Sequence, residues 1–372
     1  MQRVTVVHLV STLGIGGQEM VIHSLVSHAD LRRFRPIVLA LHDGGPVADR
    51  IASLGVPVEV LGGGEAGTVT LIRRLAARLR THCPDILHTH NPAPHQLGAV
   101  AHVLARVPAL IHTKHGRNNF PTRTRRWAEQ MAGRVTDLVV PVSEDAAEVA
   151  RTVDRVPARK IRVIHNGIDL TALGMAEVLP SGRAPRAVHV ARLNRVKDQR
   201  SLLASTRLLV DRHPGFHLDI VGDGPMGAEL RALATALGLD SAVTFHGMQD
   251  DVTPYLANAD LFLLPSLSEG IAITMLEAMG SGLPVVATDV GGNREVVVQG
   301  ETGLLVPAGD PTSLADAVDQ LLADPARARS WGAAGRQRVE TDFNIAGTVR
   351  AYEAAYLEVL GRPVVAPVAV PA

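Results

Sequence analysis

Cysteine, aromatic residues and net charge are scarce in this sequence, and each scarcity excludes a class of protein. Cys83 is the only cysteine, which excludes an intramolecular disulfide framework and a thiolate metal cluster and indicates a reducing compartment. Aromatic residues make up 3% of the chain against 46% hydrophobic residues, so the core must be aliphatic, as in buried parallel sheets. Lys plus Arg equals Asp plus Glu at 37 each, so no global field would draw the chain onto nucleic acid.

Long hydrophobic runs are also missing. No uninterrupted apolar run approaches the roughly 20 residues of a membrane-spanning helix. The run at residues 4–10 is short for a signal peptide, and it leads through Ser11 and Thr12 into a glycine-rich loop without a convincing cleavage site. We interpret this run as the first strand. We expect a soluble, cytoplasmic protein that at most touches the inner face of the membrane peripherally.

Short β-branched runs alternate with Ala-, Leu- and Arg-rich helical patterns along the whole chain, which is typical of βαβ units and parallel sheets. Helices are predicted between most of the runs, for example at 70–80 and 97–105. The predicted strands of the first half are 4–10, 35–41, 58–61, 86–88, 109–113 and 138–142, and those of the second half are 186–191, 217–221, 242–246, 261–264, 284–287 and 304–306. The pattern predicts an α/β protein with parallel sheets in two similar halves.

The 372 residues suit two domains of about 150 to 200 residues rather than one. A stretch rich in Pro, Gly and Ser separates the halves and indicates a connection between domains. We expect an N-terminal domain at 1–170, a linker at 171–185 and a C-terminal domain at 186–345. A helix at 346–360 should return to the first domain, and residues 361–372 should form a tail without fixed structure.

The most informative stretch runs from Pro265 to Pro284, where a strand is followed by a polar turn and a helix. A turn that enters a helix presents unpaired N–H groups and the positive end of the helix dipole, which suits a phosphate group or sugar hydroxyls. Gly270 lets the backbone approach a ligand closely. Glu269 lies before the helix and Glu277 about one turn into it, so both carboxylates can accept hydrogen bonds from hydroxyl groups in one pocket.

This stretch resembles the Glu-x7-Glu signature of the family-4 retaining glycosyltransferases, and the order of the following residues continues the resemblance. The continuation comprises Glu277-Ala-Met, Gly282-Leu-Pro-Val-Val-Ala-Thr, Gly291-Gly-Asn-Arg-Glu and Glu301-Thr-Gly-Leu-Leu-Val-Pro. The resemblance extends over nearly the whole chain and is strongest over 186–310. It implies the GT-B fold, in which two Rossmann-like, doubly wound domains face each other across a cleft. In this fold the N-terminal domain would be the acceptor side, and the C-terminal domain would bind the nucleotide-sugar.

The resemblance also implies roles for the residues of the signature. In that family the first Glu and the backbone amides after it face the donor sugar, and the second Glu holds the nucleotide ribose. Carried over, these roles fall on Glu269 and Gly270 with Ile271, Ala272 and Ile273 for the sugar, and on Glu277 for the ribose. The family more often has Gly-Phe-Gly where this chain has Gly270-Ile271-Ala272, and this departure leaves the identity of the sugar open.

Arg192 and Lys197 follow the predicted strand 186–191. Two cations beyond a strand end can neutralise a diphosphate, with Arg as a planar fork and Lys as a point charge. The resemblance implies this role, in which the cations also stabilise the departing nucleoside diphosphate. Arg195 is a weaker third candidate. With Arg192 and Lys197 supplying positive charge, the resemblance implies that no metal is required.

Glycines between strands and helices mark further candidates. The sequence Gly222-Asp-Gly-Pro-Met-Gly fits a dinucleotide fingerprint, but Pro225 interrupts it and the next strand does not end in an acidic residue. The resemblance places Gly222, Gly224 and Gly247 beside the nucleotide. In the first half, Gly16 and Gly17 open a helix after the first strand, where the backbone can approach a phosphate or an acceptor.

Histidines end two predicted strands. His88 and His90 could face one way and bind a metal, but no acidic or cysteine partner recurs nearby, so we expect no metal site. The resemblance implies that His115, after the next strand, contacts the donor sugar. Residues 120–135 combine four arginines with Trp127, and they predict either a helix with a solvated charged face or a basic surface that meets a membrane or a lipid-linked acceptor.

Together these features predict a retaining glycosyltransferase that moves a sugar from a UDP- or GDP-linked donor to a hydroxyl of a glycan, a lipid-linked molecule or a small molecule. Envelope or exopolysaccharide synthesis is the expected setting. No carboxylate is assigned as a covalent nucleophile. The alternatives are a sugar-nucleotide epimerase of the same fold, an NAD-dependent oxidoreductase based on the Gly222 motif, and a non-catalytic sugar-nucleotide-binding protein.

Overall fold

The computed structural model describes residues 3–62, 67–117, 122–179 and 183–363. These residues form two compact units, each with its own parallel sheet. Unit 1 comprises residues 1–165 and 345–372, and unit 2 comprises residues 166–344. None of the helices in the described ranges combines the length and the apolar composition needed to cross a bilayer.

Unit 1 is built on a six-stranded parallel sheet with the strand order β3-β2-β1-β4-β5-β6. The polypeptide therefore adds β2 and β3 on one side of β1, crosses back to place β4 on the other side of β1, and then adds β5 and β6 there. The strands are β1 (Val4–Thr12), β2 (Phe34–Asp43), β3 (Val58–Val60), β4 (Ile86–His90), β5 (Ala109–Lys114) and β6 (Leu138–Pro141).

Unit 2 repeats this plan with the order β12-β11-β10-β7-β8-β9, in which β7 and β10 are the central neighbours. Its strands are β7 (Arg186–Val190), β8 (His217–Val221), β9 (Val243–Gly247), β10 (Leu261–Leu264), β11 (Val285–Thr288) and β12 (Gly303–Val306). Both units are thus doubly wound, with the strand order of the Rossmann fold.

Helices connect the strands of both units. In unit 1 they are α1 (Gly17–Ser27), α2 (Pro46–Ser53), α3 (Thr68–His82), α4 (Pro92–Ala105), α5 (Arg123–Val135) and α6 (Glu144–Thr152). In unit 2 they are α7 (Gln199–Arg212), α8 (Gly227–Ala236), α9 (Thr253–Ala257), α10 (Ile273–Gly280), α11 (Asn293–Val296), α12 (Pro311–Leu322) and α13 (Pro325–Asp342). The last helix, α14 (Ile345–Val359), belongs to unit 1.

Both faces of the unit 1 sheet are buried. Alternate residues of β2 enter different clusters: Ile37 and Leu39 pack with side chains of α3 and α4, whereas Val38 and Ala40 pack with those of α1 and α2. This explains the continuous apolar runs, because a strand covered on both sides has no polar face. α14 adds the buried Tyr352 and Tyr356, whose hydroxyl groups reach Thr113 and His88.

The predicted strands are confirmed, with shifts of at most two residues at their ends. β4 continues two residues beyond its predicted end, because His90 is buried in the sheet rather than placed in the following loop. The segment predicted as a linker at 171–185 lies in unit 2, where Ala176 donates a backbone hydrogen bond to Ser281 and Leu173 packs beside Gly280. Residues 364–372 of the predicted tail lie outside the described residues.

Candidate active site

The strand orders indicate where a ligand can enter each unit. In a doubly wound sheet, the loops that follow the two central strands diverge to opposite faces and leave a crevice at the carboxyl ends. In unit 1 these strands are β1 and β4, and in unit 2 they are β7 and β10. In unit 2 the two loops contain Arg192 to Lys197 and Pro265 to Ala272, so the predicted donor residues lie at this point.

An ion pair joins the two loops of unit 2. The Nζ of Lys197 lies 2.5 Å from Oε1 of Glu269, and the Oγ of Ser266 donates a hydrogen bond of 2.6 Å to the same oxygen. Glu269 is buried and Lys197 is partly exposed. The carboxylate is therefore neutralised locally, which reduces the repulsion that an approaching phosphate would otherwise meet.

Backbone contacts fix the Lys197 loop. The side chain of Asn194 accepts hydrogen bonds from the N–H groups of Val196 and Lys197, and the N–H of Leu267 donates to the carbonyl of Val196 at 2.7 Å. The side chain of Arg192 is exposed and has no hydrogen bond or ion pair with the described residues. One cation is thus already engaged, and the other is available to an anion.

Glu277 lies in α10, one turn after its first residue, and its carboxyl group has no hydrogen-bond or ion-pair partner among the described residues. Burial, with a smaller contribution from the carboxylate of Asp251, raises the pKa of Glu277 to about 7. A half-buried carboxyl group with a perturbed pKa and no partner is an arrangement that functional sites often contain.

Glycine is required at two close approaches in unit 2. Gly291 has φ +52°, and a Cβ added there would lie 2.0 Å from the carbonyl oxygen of Glu269. Gly222 has φ +131°, and a Cβ would lie 2.1 Å from the carbonyl oxygen of Ala191. The N–H of Gly222 also donates to the carbonyl of Gly247 at 2.8 Å. These glycines let neighbouring loops lie against the donor segments.

In unit 1, the loop after β1 meets the end of β4. The Nδ2 of Asn91 donates to Oε1 of Gln18 at 2.5 Å, so the glycine loop and the β4 loop are held together. Gly16 is extended and precedes α1, and a Cβ there would lie 2.4 Å from Oε2 of Glu19. Gly17, the first residue of α1, is exposed.

Four histidines gather near the same edge of the unit 1 sheet. The Nδ1 of His8 lies 3.2 Å from Nε2 of His90, and the Nδ1 of His90 lies 3.3 Å from Nε2 of His115. His88 bonds at 2.7 Å to the hydroxyl of Tyr356 through Nδ1, and at 2.7 Å to that of Thr113 through Nε2. Burial lowers the pKa of His8 and of His115 to about 4 and holds the pKa of His90 well below its ordinary value.

No acidic or cysteine partner was expected beside His88 and His90, but β1 brings a third histidine, His8, next to them and places three ligand atoms within 4.8 Å of one another. His88 and His90 use both ring nitrogens in hydrogen bonds to Tyr356, Thr113, His8 and His115. A metal ion at this cluster would have to replace some of these bonds.

A second buried group, His95, His112 and Glu129, lies between α4, β5 and α5. Oε1 of Glu129 is 2.7 Å from Nδ1 of His95, and the rings of His95 and His112 stack with centroids 3.8 Å apart. Glu129 therefore ties the two helices to the sheet through its histidine partners.

Comparisons with known proteins agree with this geometry. The family profile described as Glycosyltransferase Family 4 matches residues 15–172, and that described as Glycosyl transferases group 1 matches residues 175–338. N-acetyl-alpha-D-glucosaminyl L-malate synthase of Bacillus anthracis is 30% identical over 294 residues, which are 74% of this chain and 75% of that protein. The chain belongs to glycosyltransferase family 4.

Other family members and solved structures extend the comparison. The UDP-Gal:alpha-D-GlcNAc-diphosphoundecaprenol alpha-1,3-galactosyltransferase of Escherichia coli is 26% identical over 74% of this chain and 76% of its own length. The structure of Anabaena HepE in complex with UDP and glucose has a TM-score of 0.84 and 23% identity, and the match covers 96% of this chain and 100% of that one. At this identity the structural likeness establishes the GT-B glycosyltransferase fold.

The structure of this glycosyltransferase brings together Lys197, Glu269 and Gly270 at the carboxyl ends of β7 and β10, with Ile271, Ala272 and Ile273 leading into α10. Gly222 and Gly247 meet at the carboxyl ends of β8 and β9. In unit 1, His115 lies after β5, and Gly16 and Gly17 lie after β1.

Three residues of these sites were not predicted from the sequence. Ser266 was missed although its spacing of three residues before Glu269 is compatible with a turn contact. Asn194 was missed although it precedes two N–H groups that need a cap, which Asn often provides. His8 was missed because its proximity to His90 depends on the pairing of β1 with β4, which sequence patterning alone does not specify.

Proposed function

We propose that this glycosyltransferase moves a sugar, with retention of anomeric configuration, from a UDP- or GDP-linked donor to an acceptor hydroxyl. The observation that carries the proposal is the Lys197–Glu269 ion pair at the carboxyl ends of β7 and β10, followed in the chain by α10 with the unpartnered Glu277. In this set Lys197 can pair with a phosphate group, and the carboxyl groups of Glu269 and Glu277 can accept hydrogen bonds from hydroxyls. The UDP and glucose bound by HepE support UDP-linked sugars as the first donors to test.

Within the proposal each donor group has a partner of suitable chemistry. Lys197 and the exposed Arg192 neutralise the diphosphate, with the Lys197 ammonium shared between the phosphate and Glu269. The donor sugar forms hydrogen bonds with Glu269 and with the N–H groups of Gly270, Ile271, Ala272 and Ile273. Glu277 accepts hydrogen bonds from the ribose hydroxyls, and Gly222 and Gly247 border the nucleotide. This arrangement requires no metal ion to balance the diphosphate.

The proposed step forms a bond between the acceptor oxygen and the anomeric carbon and breaks the bond between that carbon and the diphosphate oxygen. The acceptor proton passes to an oxygen of the leaving nucleoside diphosphate, so no separate base is needed. Attack from the face that the leaving group vacates retains the configuration. Arg192 and Lys197 favour this step because negative charge grows on the diphosphate as the bond breaks.

Within the proposal, unit 1 binds the acceptor, and its His115 contacts the donor sugar. Gly16 and Gly17 allow an acceptor to approach the backbone after β1, where the contact between Asn91 and Gln18 fixes the loop. The E. coli relative acts on a diphosphoundecaprenol-linked sugar. We therefore favour a lipid-linked glycan as the first acceptor class to test, before free glycans and small molecules.

The outer faces of α4 and α5 support contact with an anionic membrane from the cytoplasmic side. Val103 and Trp127 are 57% and 64% exposed, and Val100 and Leu104 are also exposed. The exposed charges of α5 are all arginines, whereas its single acidic residue, Glu129, is buried. Apolar side chains beside arginines suit the boundary between lipid headgroups and acyl chains.

The test is turnover of a panel of nucleotide-sugars with lipid-linked, glycan and small-molecule acceptors in the presence of EDTA. We expect release of UDP or GDP and a glycoside with the anomeric configuration of the donor. Free epimerised sugar without acceptor transfer would replace this proposal with an epimerase. Tight donor binding without turnover across all acceptor classes would replace it with a binding protein, and loss of turnover on EDTA addition would contradict metal independence.

A further inference from the structure

Three imidazoles form an unbranched chain in unit 1. His8 in β1 contacts His90 in β4 at 3.2 Å, and His90 contacts His115 after β5 at 3.3 Å. The rings are roughly parallel along the chain, with angles of 22° between His8 and His90 and 29° between His90 and His115. His8 and His90 are buried, whereas His115 is partly exposed. This chain of imidazoles thus connects the interior of the sheet with its carboxyl edge.

Each ring carries one ring proton at neutral pH. Burial lowers the pKa of all three histidines far enough for the neutral imidazole to dominate. A neutral imidazole donates from one nitrogen and accepts at the other. Two successive hydrogen bonds among three such rings can therefore form only when all the N–H groups point the same way along the chain.

The inner end of the chain selects the direction. Nε2 of His8 has no hydrogen-bond partner among the described residues. If the N–H groups pointed inward, this nitrogen would carry an N–H with no acceptor among the described residues, whereas the outward direction puts the terminal N–H on the partly exposed His115, where a hydroxyl or water can accept it. With the outward direction, His8 donates to His90 and His90 donates to His115. Nδ1 of His115, which has no partner among the described residues, then carries the proton.

We propose that His8 and His90 are positioning residues that fix the tautomer of His115, so that His115 offers an Nδ1–H donor to a sugar hydroxyl. Without the chain, His115 would be free to exchange between tautomers and to rotate, and only part of its population could donate in this direction. His88 lies outside the chain because Tyr356 and Thr113 engage its two nitrogens. The proposal rests on the proposed function through its assignment of His115 to a sugar substrate.

The tautomers can be observed without any substrate. Long-range proton–nitrogen correlation spectra of the full-length, nitrogen-15-labelled protein distinguish Nδ1–H from Nε2–H imidazoles, and His→Gln variants assign the signals. We expect the Nδ1–H form for His8, His90 and His115. The Nε2–H form at His115 would overturn the proposal. A stoichiometric zinc ion bound by the purified protein through His8 and His90 would also overturn it, because zinc would occupy the nitrogens that form the chain.

The kinetic test uses the donor and acceptor found active in the nucleotide-sugar panel. His90→Phe keeps a ring in place but cannot bond to His115, and we expect kcat to fall up to about tenfold, as for one lost hydrogen bond, with little change in donor KM. His90→Gln, which retains a donor and an acceptor, should recover part of kcat. His112→Asn, at a buried histidine on the other face of the sheet, is the control for general disturbance and should remain near wild type.

The double variant His90→Phe/His115→Ala separates positioning from structure. If His90 acts through His115, the double variant is no slower than His115→Ala alone; additive losses would overturn the proposal. Wild-type turnover by His115→Ala would instead reject the assignment of His115 within the proposed function. In that case the tautomer spectra still report whether the chain exists, so the two failures are distinguishable.

Discussion

The ammonium group of Lys197 lies 2.5 Å from the buried carboxylate of Glu269, and the two residues come from loops that follow different central strands of unit 2. The sequence resemblance assigned one residue to a diphosphate and the other to a sugar. The structure joins them as one electrostatic unit. Their pairing lets a carboxylate lie near a phosphate site, because Lys197 compensates its charge.

The first prediction concerns this pair. Lys197→Met leaves Glu269 buried without a counter-ion, and we expect the free energy of unfolding to fall by about 1–3 kcal/mol, as when a buried polar group loses its partner. Adding Glu269→Gln to Lys197→Met should restore most of this loss, since the uncompensated charge is gone. Chemical denaturation of the wild type, both single variants and the double variant measures the coupling.

The same four proteins separate stability from function. Donor turnover should remain lost in the double variant even though its stability recovers, because the diphosphate still lacks its cation. Near-wild-type turnover by the double variant would show that the pair has only a structural role. Arg200→Met is the matched control, since the exposed ion pair between Arg200 and Glu229 should contribute little to stability.

The second prediction is a pH dependence from Glu277. Its pKa of about 7 means that at lower pH the carboxyl group is mostly protonated, and a protonated carboxyl accepts hydrogen bonds from two ribose hydroxyls less well than the carboxylate does. Donor affinity should therefore weaken as the pH falls below about 7, approaching about tenfold per pH unit. Calorimetric titration of UDP between pH 5 and about pH 8 measures this. Dividing the UDP affinity of the wild type by that of Glu277→Gln at each pH removes the effect of the titration of the nucleotide itself.

A matched variant identifies the group responsible. Asp251→Asn removes the negative charge that helps to raise the pKa of Glu277, so the midpoint of the pH dependence should move to lower pH. An unmoved midpoint would assign the titration to another residue.

The third prediction follows from the stability linkage of Glu277. The folded-state pKa is raised above the unfolded value of 4.5, so protonation favours the folded protein below pH 4.5, and this contribution is lost as the pH rises through about 7. Glu277→Gln removes the ionisation and should stabilise the protein at pH 8 by at most about 3 kcal/mol, with a smaller gain at acid pH. Thermal unfolding at both pH values checks this, and equal stability changes would contradict it.

The fourth prediction concerns Gly291. An alanine there would bring its Cβ to 2.0 Å from the carbonyl of Glu269 and would adopt a positive φ, which costs about 1–2 kcal/mol by itself. Gly309→Ala shares a positive φ but has open space around the added Cβ, so it is the control for backbone strain alone. We expect Gly291→Ala to lose donor binding and Gly309→Ala to keep it. Equal donor affinities would show that the Glu269 loop tolerates displacement.

The fifth prediction concerns the exposed apolar side chains of α4 and α5 and the exposed arginines of α5. Liposome flotation should recover the wild-type protein with vesicles that contain anionic lipid, and recovery should fall with added salt because surface charges are screened. Trp127→Ser and Arg126→Glu should each reduce recovery. No association of the wild type at low salt would reject membrane contact, whereas binding to neutral and anionic vesicles alike would assign the contact to the apolar side chains alone.

Much of the fold could be predicted because periodic burial leaves a strong signal in the sequence. The strands at 217–221 and 261–264 were predicted with their observed ends. The second of these is entirely apolar, as expected of a strand covered on both faces. The end of β4 was predicted two residues early. Histidine is polar by pattern, and only burial between His8 and His115 makes His90 part of the sheet.

The candidate site also has a part that could be predicted from the sequence and a part that could not. Glu269, Glu277 and Lys197 are part of a local signature that the sequence displays, but their distances depend on how β7 and β10 pair. The ion pair, the Ser266 contact and the chain from His8 to His115 join residues that are distant in sequence or hidden within a turn. Local patterning does not encode such contacts. They arise from strand order, which brings the carboxyl ends of the central strands together.

The most direct test of the account is calorimetric titration of UDP, GDP and NAD into the wild-type protein and into Glu277→Gln, at pH 8 with EDTA present. The account predicts that the wild type binds UDP or GDP but not NAD, and that Glu277→Gln loses most of this affinity while remaining folded. Binding of NAD without binding of UDP or GDP, or equal nucleotide affinity in the wild type and Glu277→Gln, would contradict it.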